Sequence, residues 1–378
     1  MISTDRRPGR PRPFARVDAP VEAVQVSAYT IPTDQPESDG TAEWDATTMV
    51  LVHARAAGET GLGYTYGNLA SGTVAESTLA AEVVGRDAMS VTAAWDAMAR
   101  ACRNLGRPGV AAMAISAVDT ALWDLKARLL GLPLATLLGA VRPAVPIYGS
   151  GGFTSYSDER LAEQLGGWAA QGIPRVKMKV GREPDRDVER VRVARIAIGP
   201  ETELYVDANG ALSRKRALLF ASRCSEHDVR WLEEPVSSDD LAGLRLIRDR
   251  APLGMDIAAG EYGHVLPYFE AMLAAEAVDC LQADVTRCEG ITGFMRVAAL
   301  CQARSLELSA HCGPAIHLHP CCAAPPLRHL EYFHDHVRIE RLLFDGVPEP
   351  VAGTLAPDLS RPGNGLELKT ADAATYAV

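Results

Sequence analysis

Short apolar runs in the second half of the chain end, one after another, on a charged side chain or a histidine, and these endings recur at a nearly fixed distance. RVKMKV carries Lys177 and Lys179, ELYVDA reaches Asp207, VRWLEE Glu233, MDIAAGE Glu261, DCLQAD Asp284 and LELSAH His311. Lys179 and Asp207 are 28 positions apart, Asp207 and Glu233 26, Glu233 and Glu261 28, and Asp284 and His311 27. A strand, a loop, a helix and a second loop take about 30 residues, slightly fewer when tight. Each polar residue therefore sits at the same place in successive β/α units. In a (β/α) barrel that place is the carboxyl-end face, where catalytic residues collect. One such ending means little, but six in succession are not explained by stability alone.

From Val145 onward eight strand candidates alternate with helical stretches such as Asp158 to Gln171, Asp185 to Ala197 and Ser213 to Ser225. VPIYGSGG is the first and RHLEYF, which carries Glu331, the last. Alternation predicts a parallel sheet, and eight strands predict closure into a barrel over residues 146–340. No good amphipathic helix is expected after the last strand.

The stretch before it has a different texture. Two strand-like runs, VEAVQVSAYT and TTMVLVHARA, flank a polar segment, Ile31–Asp45, read as a loop; the glycine-rich GETGLGYTYGNLASG is read as a second, mobile loop. It lacks the Gly-Lys-Ser/Thr and the strand-to-helix spacing of a phosphate cradle. Helical segments follow, the clearest from Ala112 to Leu130, where Ile115, Val118, Leu122, Leu125 and Leu129 recur by threes and fours. Gly131 and Pro133 stop it. The expected organisation is an α+β unit over 21–145, completed by the Gly- and Pro-rich tail 341–378, with Arg-rich residues 1–20 as a disordered tail.

A formal charge of −10 argues against a nucleic-acid protein, and no apolar run reaches membrane-spanning length. No secretory signal is visible, and eight cysteines without repeated spacing read as reduced thiols of a cytoplasmic protein.

Asp207, Glu233 and Glu261 together offer three hard oxygen ligands with no Cys or His, a set that suits Mg2+. Each alone would pass for an ion-paired carboxylate. Glu234 points the other way on its strand and is assigned beside the ligand set, as a partner for a lysine. Lys177 and Lys179, two apart on one strand, face one side. Near a divalent cation and another ammonium a lysine's pKa is expected to fall toward working pH, which makes a general base. Lys177 has two readings, a structural salt bridge or a contact to a substrate carboxylate. Asp284 can hold one ring nitrogen of His311 and set its tautomer. Glu331 reads equally as a group near substrate oxygens or an ordinary paired carboxylate. His317, His319, Cys321 and Cys322 have zinc-loving letters, but their short separations and Pro320 fit tetrahedral ligation poorly.

With KMK at 177–179, DANG at 207–210, WLEEP at 231–235, GE at 260–261, ADVTRCEGITGFMRVAAL from 283 and SAH at 309–311, the chain resembles the enolase superfamily, in its mandelate racemase branch. Enzymes of that superfamily set a Lys or His base against a Mg2+-stabilised ene-diolate. The resemblance implies a capping α+β domain over a (β/α)7β modified TIM barrel, with Asp207, Glu233 and Glu261 as ligands of one Mg2+. It makes Lys179 the base on one face of the substrate and His311, paired with Asp284, the acid or base on the other. Glu331 would hydrogen-bond the developing enediolate and Lys177 would assist at the carboxylate. Ile31–Asp45 and Gly61–Gly72 would close over the substrate. The implied partner is a small-molecule carboxylate, a sugar acid, and a homo-oligomer is expected. The reaction implied is dehydration to a 2-keto-3-deoxy acid, with racemisation or epimerisation of a 2-hydroxy acid as the alternative.

Overall fold

The computed structural model describes residues 19–378, so the Arg-rich stretch expected as a tail lies outside the described residues apart from Ala19, which is buried, and Pro20, which bridges to Asp87. Eight parallel strands close into a barrel: β4 (Val145–Gly151), β5 (Arg175–Lys179), β6 (Glu203–Asp207), β7 (Val229–Glu233), β8 (Asp256–Ala259), β9 (Cys280–Ala283), β10 (Glu307–Ala310) and β11 (Leu327–Phe333). Closure is through β11 and β4, with Glu331 opposite Tyr148. All eight coincide with the apolar runs singled out in the sequence. The helices between them begin at caps the sequence supplies: the Ser157 hydroxyl accepts from Arg160 N at 3.3 Å, and Asp240 accepts from Gly243 N at 3.0 Å.

The barrel interior is filled in layers. Low in it, Tyr148, Tyr205, Trp231, Ala258 and Cys280 pack together, with Tyr205 stacked on Trp231 at 5.4 Å between ring centroids. Lys177 Nζ sits 5.3 Å from the Tyr148 ring centroid. The charged groups occupy the next layer up.

Three antiparallel strands, β1 (Ala23–Ser38), β2 (Glu43–Ala56) and β3 (Glu59–Tyr66), form the N-terminal sheet. Two expectations are corrected here. The segment 31–45 is mostly strand: β1 and β2 run on as a long hairpin with a register shift between Pro32 and Glu37, turning only at residues 39–42. The glycine-rich segment is not a loop either, because Gly61 and Gly63 belong to β3. They point two apart to one face, and helix Ala112–Leu129 lies so close there that a Cβ on Gly61 would stand 2.2 Å from Ala121 O and one on Gly63 2.3 Å from Ala117 O. Glycine marks close packing of sheet on helix.

That helix also fastens the sheet to the barrel. Asp119 accepts from the backbone N–H and hydroxyl of Thr292 at 2.9 and 2.7 Å, and Trp123 Nε1 donates to the same hydroxyl at 2.9 Å. Thr292 lies in helix Gly290–Ala303, which follows β9.

A third correction concerns the end of the barrel. Strand β11 is followed by an amphipathic helix, His334–Leu343. Ile339 and Leu343 pack with Tyr29, Ile31, Met49 and Tyr64 of the N-terminal sheet, whereas Val337 packs with the barrel core. Its apolar face is divided between two partners, and this weakens the sequence pattern. The tail then adds a short strand (Thr354–Leu355) antiparallel to β4 and returns to the N-terminal sheet, where Val378 N donates to Ala28 O at 3.1 Å.

Candidate active site

Parallel register brings the polar endings to one level: Lys179 pairs with Asp207, and Asp207 with Glu233. Glu261 stands two residues past β8, after Gly260 at φ +136°, where an added Cβ would meet Gln282 O at 2.1 Å. Asp284 follows β9 and His311 follows β10 directly. One oxygen from each of Asp207, Glu233 and Glu261 lies within 4.8 Å of the others, and all three residues are buried.

The lysines bind these carboxylates. Lys179 Nζ is 2.5 Å from Asp207 Oδ2; Lys177 Nζ is 2.6 Å from Glu233 Oε1 and 2.8 Å from Glu331 Oε1. Burial opposes the charge on each lysine, but the facing carboxylates, Asp207 for Lys179 and Glu233 with Glu331 for Lys177, outweigh it and lift both pKa values above the lysine range. The expected fall of the Lys179 pKa is therefore not a property of these residues by themselves. Burial opposes charge on Glu331 too, and Lys177 holds it below the carboxylate range.

The fit to a cation follows from the carboxylates left over. Burial, and then Asp207, push Glu233 up to about 8, and Glu261 Oε2 accepts no well-formed hydrogen bond from the described residues. Three converging oxygens, too crowded for all to be charged in a dry site, are a donor set that a hard divalent cation satisfies.

Glu234 corrects an expectation. It is buried at φ +39°, and among the described residues neither of its oxygens has a hydrogen-bond partner and no lysine pairs with it. Burial and Glu261 raise its pKa well above the carboxylate range.

His311 Nδ1 is 2.8 Å from Asp284 Oδ2, and Asp284 also accepts through Oδ1 from Thr286 N at 2.7 Å. His311 Nε2 is 3.2 Å from Glu261 Oε2. Burial opposes the imidazolium, but Cys312, Glu261 and Glu331 together override it, so the His311 pKa rises well above its ordinary value. The HLHPCC segment is used otherwise. His317 Nε2 accepts from Val285 N at 2.7 Å and His319 Nδ1 from Ala135 N at 3.0 Å, inside the buried helix Pro314–Ala323.

A cavity of about 350 Å3 lies between the barrel mouth and the N-terminal sheet. Lys179, Glu261 and His311 line it, whereas Lys177, fully buried, sits a layer deeper than the expected common face. Asp39, Trp44, Tyr66 and Gly67 bring both segments expected to cover a substrate to its wall. A larger groove of about 720 Å3, lined by Trp168, Arg338 and Arg341, holds none of the strand-end carboxylates, and the chemistry assigns the smaller cavity. Cys312, Arg287 and His336 also line the cavity, and the strand-end spacing points to none of them. Arg287 lies inside the motif from 283; His336 carries no pattern at all.

Residues 24–139 match the family described as mandelate racemase / muconate lactonizing enzyme, N-terminal domain, and 160–373 the family described as enolase C-terminal domain-like. The chain belongs to the mandelate racemase/muconate lactonizing enzyme family of the enolase superfamily. Its fold matches that of a mandelate racemase/muconate lactonizing enzyme-like protein from Rubrobacter xylanophilus with a TM-score of 0.93, at 60% identity over 95% of this chain and 100% of that one. A 3,6-anhydro-alpha-L-galactonate cycloisomerase from Streptomyces coelicolor is 35% identical over 92% of this chain and 97% of that protein. The L-talarate dehydratase from Polaromonas sp. JS666, solved with Mg and L-glucarate, matches with a TM-score of 0.86 at 28% identity over 95% of this chain and 98% of that one. This family member is thus an enzyme by its relatives, which include dehydratases and cycloisomerases.

Proposed function

We propose that the protein is a Mg2+-dependent hydro-lyase of sugar acids, which removes the proton α to a carboxylate and expels the β-hydroxyl as water to leave a 2-keto-3-deoxy acid. The observation that carries this reading is that Lys179 and His311, from β5 and the end of β10, line one cavity together with Glu261 of the three-carboxylate set. Asp207, Glu233 and Glu261 would hold the ion. Bound there, Mg2+ supplies Lewis-acid stabilisation of charge on the substrate carboxylate.

The protein's own groups divide the remaining work. Lys179 takes or returns the α-proton on one face. His311, held by Asp284, presents Nε2 on the other and as an imidazolium is a suitable acid for the departing hydroxyl. Lys177 and Glu331, an ion pair beneath the cavity floor, fix the charge there before substrate arrives. A sugar acid is favoured by the L-glucarate bound to the Polaromonas relative and by the polar wall that Asp39, Thr47, Thr48 and Asn209 contribute. Residues 39–47 and 66–67 are read as setting specificity.

A second reading, isomerisation, is favoured by the near full-length match to a cycloisomerase. The first step is the same; elimination of a ring oxygen in place of a free hydroxyl, or return of the proton to the other face, gives an isomer. A panel of acid sugars assayed with Mg2+ for 2-keto-3-deoxy acid and, by NMR in D2O, for α-proton exchange separates the readings. Keto-acid formation with loss of water supports the hydro-lyase. Exchange or ring opening without loss of water supports the isomerase, and a panel that neither exchanges nor reacts contradicts both.

A further inference from the structure

Cys312 occupies an unusual position. A residue following a strand-end side chain normally points away from it, yet Cys312 has φ +52°, a left-handed conformation uncommon for a residue with a Cβ. The turn is pinned by Glu331, whose Oε2 accepts from Cys312 N at 3.0 Å. It carries Sγ back to the side on which His311 Nε2 lies. Strained backbone of this kind concentrates at functional sites.

The result is three different donors around one point. Sγ of Cys312 is 3.2 Å from His311 Nε2 and 3.4 Å from Glu331 Oε2, and the last two are 3.7 Å apart. Zinc bonds of about 2.3 Å to sulfur and about 2.0–2.1 Å to nitrogen and oxygen give edges of about 3.3–3.6 Å in a regular tetrahedron. The observed edges, 3.2, 3.4 and 3.7 Å, straddle that range, so shifts of a few tenths of an ångström bring the three donors onto one ion. His311 also has the outer partner that zinc-binding histidines use: Asp284 holds Nδ1 at 2.8 Å, which leaves Nε2 to face Cys312 Sγ and Glu331 Oε2, with Glu261 Oε2 of the first site 3.2 Å away. Both His311 and Cys312 line the cavity, so an ion has a way in and a fourth position open to water.

We propose that His311, Cys312 and Glu331 form a second metal site, selective for a thiophilic divalent cation of the Zn2+ class and distinct in donor set from Asp207, Glu233 and Glu261. A thiolate, an imidazole and one carboxylate favour zinc over magnesium, which takes oxygen ligands. Binding displaces two protons to solvent, the Cys312 thiol proton and the Nε2 proton of the His311 imidazolium. The site stands on geometry and not on the reaction assigned above, so its failure leaves that reading intact. If both hold, an ion here occupies the nitrogen that proton transfer needs, and Zn2+ blocks turnover.

Cobalt is the probe, because a thiolate ligand gives it a charge-transfer band in the near ultraviolet that oxygen and nitrogen ligands do not. The full-length protein, saturated with Mg2+ and titrated with Co2+, is expected to develop this band to one equivalent, and Zn2+ is expected to bleach it. Cys312→Ser should abolish the band, Cys321→Ser and Cys322→Ser should leave it, and Asp284→Asn should weaken Co2+ binding by about 10–100-fold. Alkylation of unmodified protein, read by mass spectrometry, keeps the test independent of any variant's folding: Zn2+ should protect Cys312. Absence of the band, its survival in Cys312→Ser, or equal alkylation of Cys312 with and without Zn2+ would overturn the proposal.

Discussion

Burial and charge oppose each other on the ionisable side chains of the barrel, and neighbours decide which prevails. For His319 burial prevails. It lowers the pKa from 6.5 to about 4, and Nδ1 accepts from Ala135 N–H. Between those two values the unfolded chain binds a proton that the folded protein does not, so stability falls as the pH drops from 7 toward 4. Asn in place of His319 keeps an acceptor for Ala135 and removes the titration. Between pH 7 and pH 5 wild type should lose about 2 kcal/mol more than His319→Asn, measured by urea unfolding at both pH values. Equal losses would show that His319 is not buried neutral. At this scale the sequence is informative wherever a residue sits at a repeating position. Asp207, Glu233, Glu261, Asp284 and His311 are legible from spacing. Cys312 is not, because its place comes from a backbone turn that no residue pattern announces. The lysine pKa values depart from expectation because the nearest charges are carboxylates, at 2.5 Å and 2.6 Å.

Elements are legible where one face packs on one partner. The eight barrel strands and helix Ala112–Leu129 meet that condition. Strand β3 does not look like a strand, because the glycines that let the helix approach also remove its alternation of side chains; helix His334–Leu343 shares its apolar face between barrel and N-terminal sheet. The close approach makes a sharp prediction. Gly63→Ala places a methyl 2.3 Å from Ala117 O, against backbone that cannot yield without moving the helix. A loss of about 3 kcal/mol is expected, read as a lower midpoint in denaturant. Unchanged stability would mean that β3 and the helix are farther apart than described.

For the molecule as a whole, the cavity exists only because sheet and barrel are held together, by Asp119 on Thr292 and by the returning C-terminal segment. A cation among Asp207, Glu233 and Glu261 binds the folded chain alone. Mg2+ at about 100 times its Kd should then add about 2.7 kcal/mol of stability, visible as a higher Tm by calorimetry. Asp207→Asn should lose that shift, and a chelator should abolish wild-type turnover until Mg2+ is restored. The same Tm rise in Asp207→Asn would place the ion elsewhere.

The most direct test of the central claim follows the α-proton itself. With Mg2+ and a reactive sugar acid in D2O, NMR should show exchange in wild type, and product formation slowed by about 10²–10⁴-fold in both Lys179→Ala and His311→Asn. One variant should retain exchange while losing turnover and the other should lose exchange, the assignment following the α-configuration of the substrate. If both variants exchange the proton at the wild-type rate, neither Lys179 nor His311 is the base, and the mechanism is wrong.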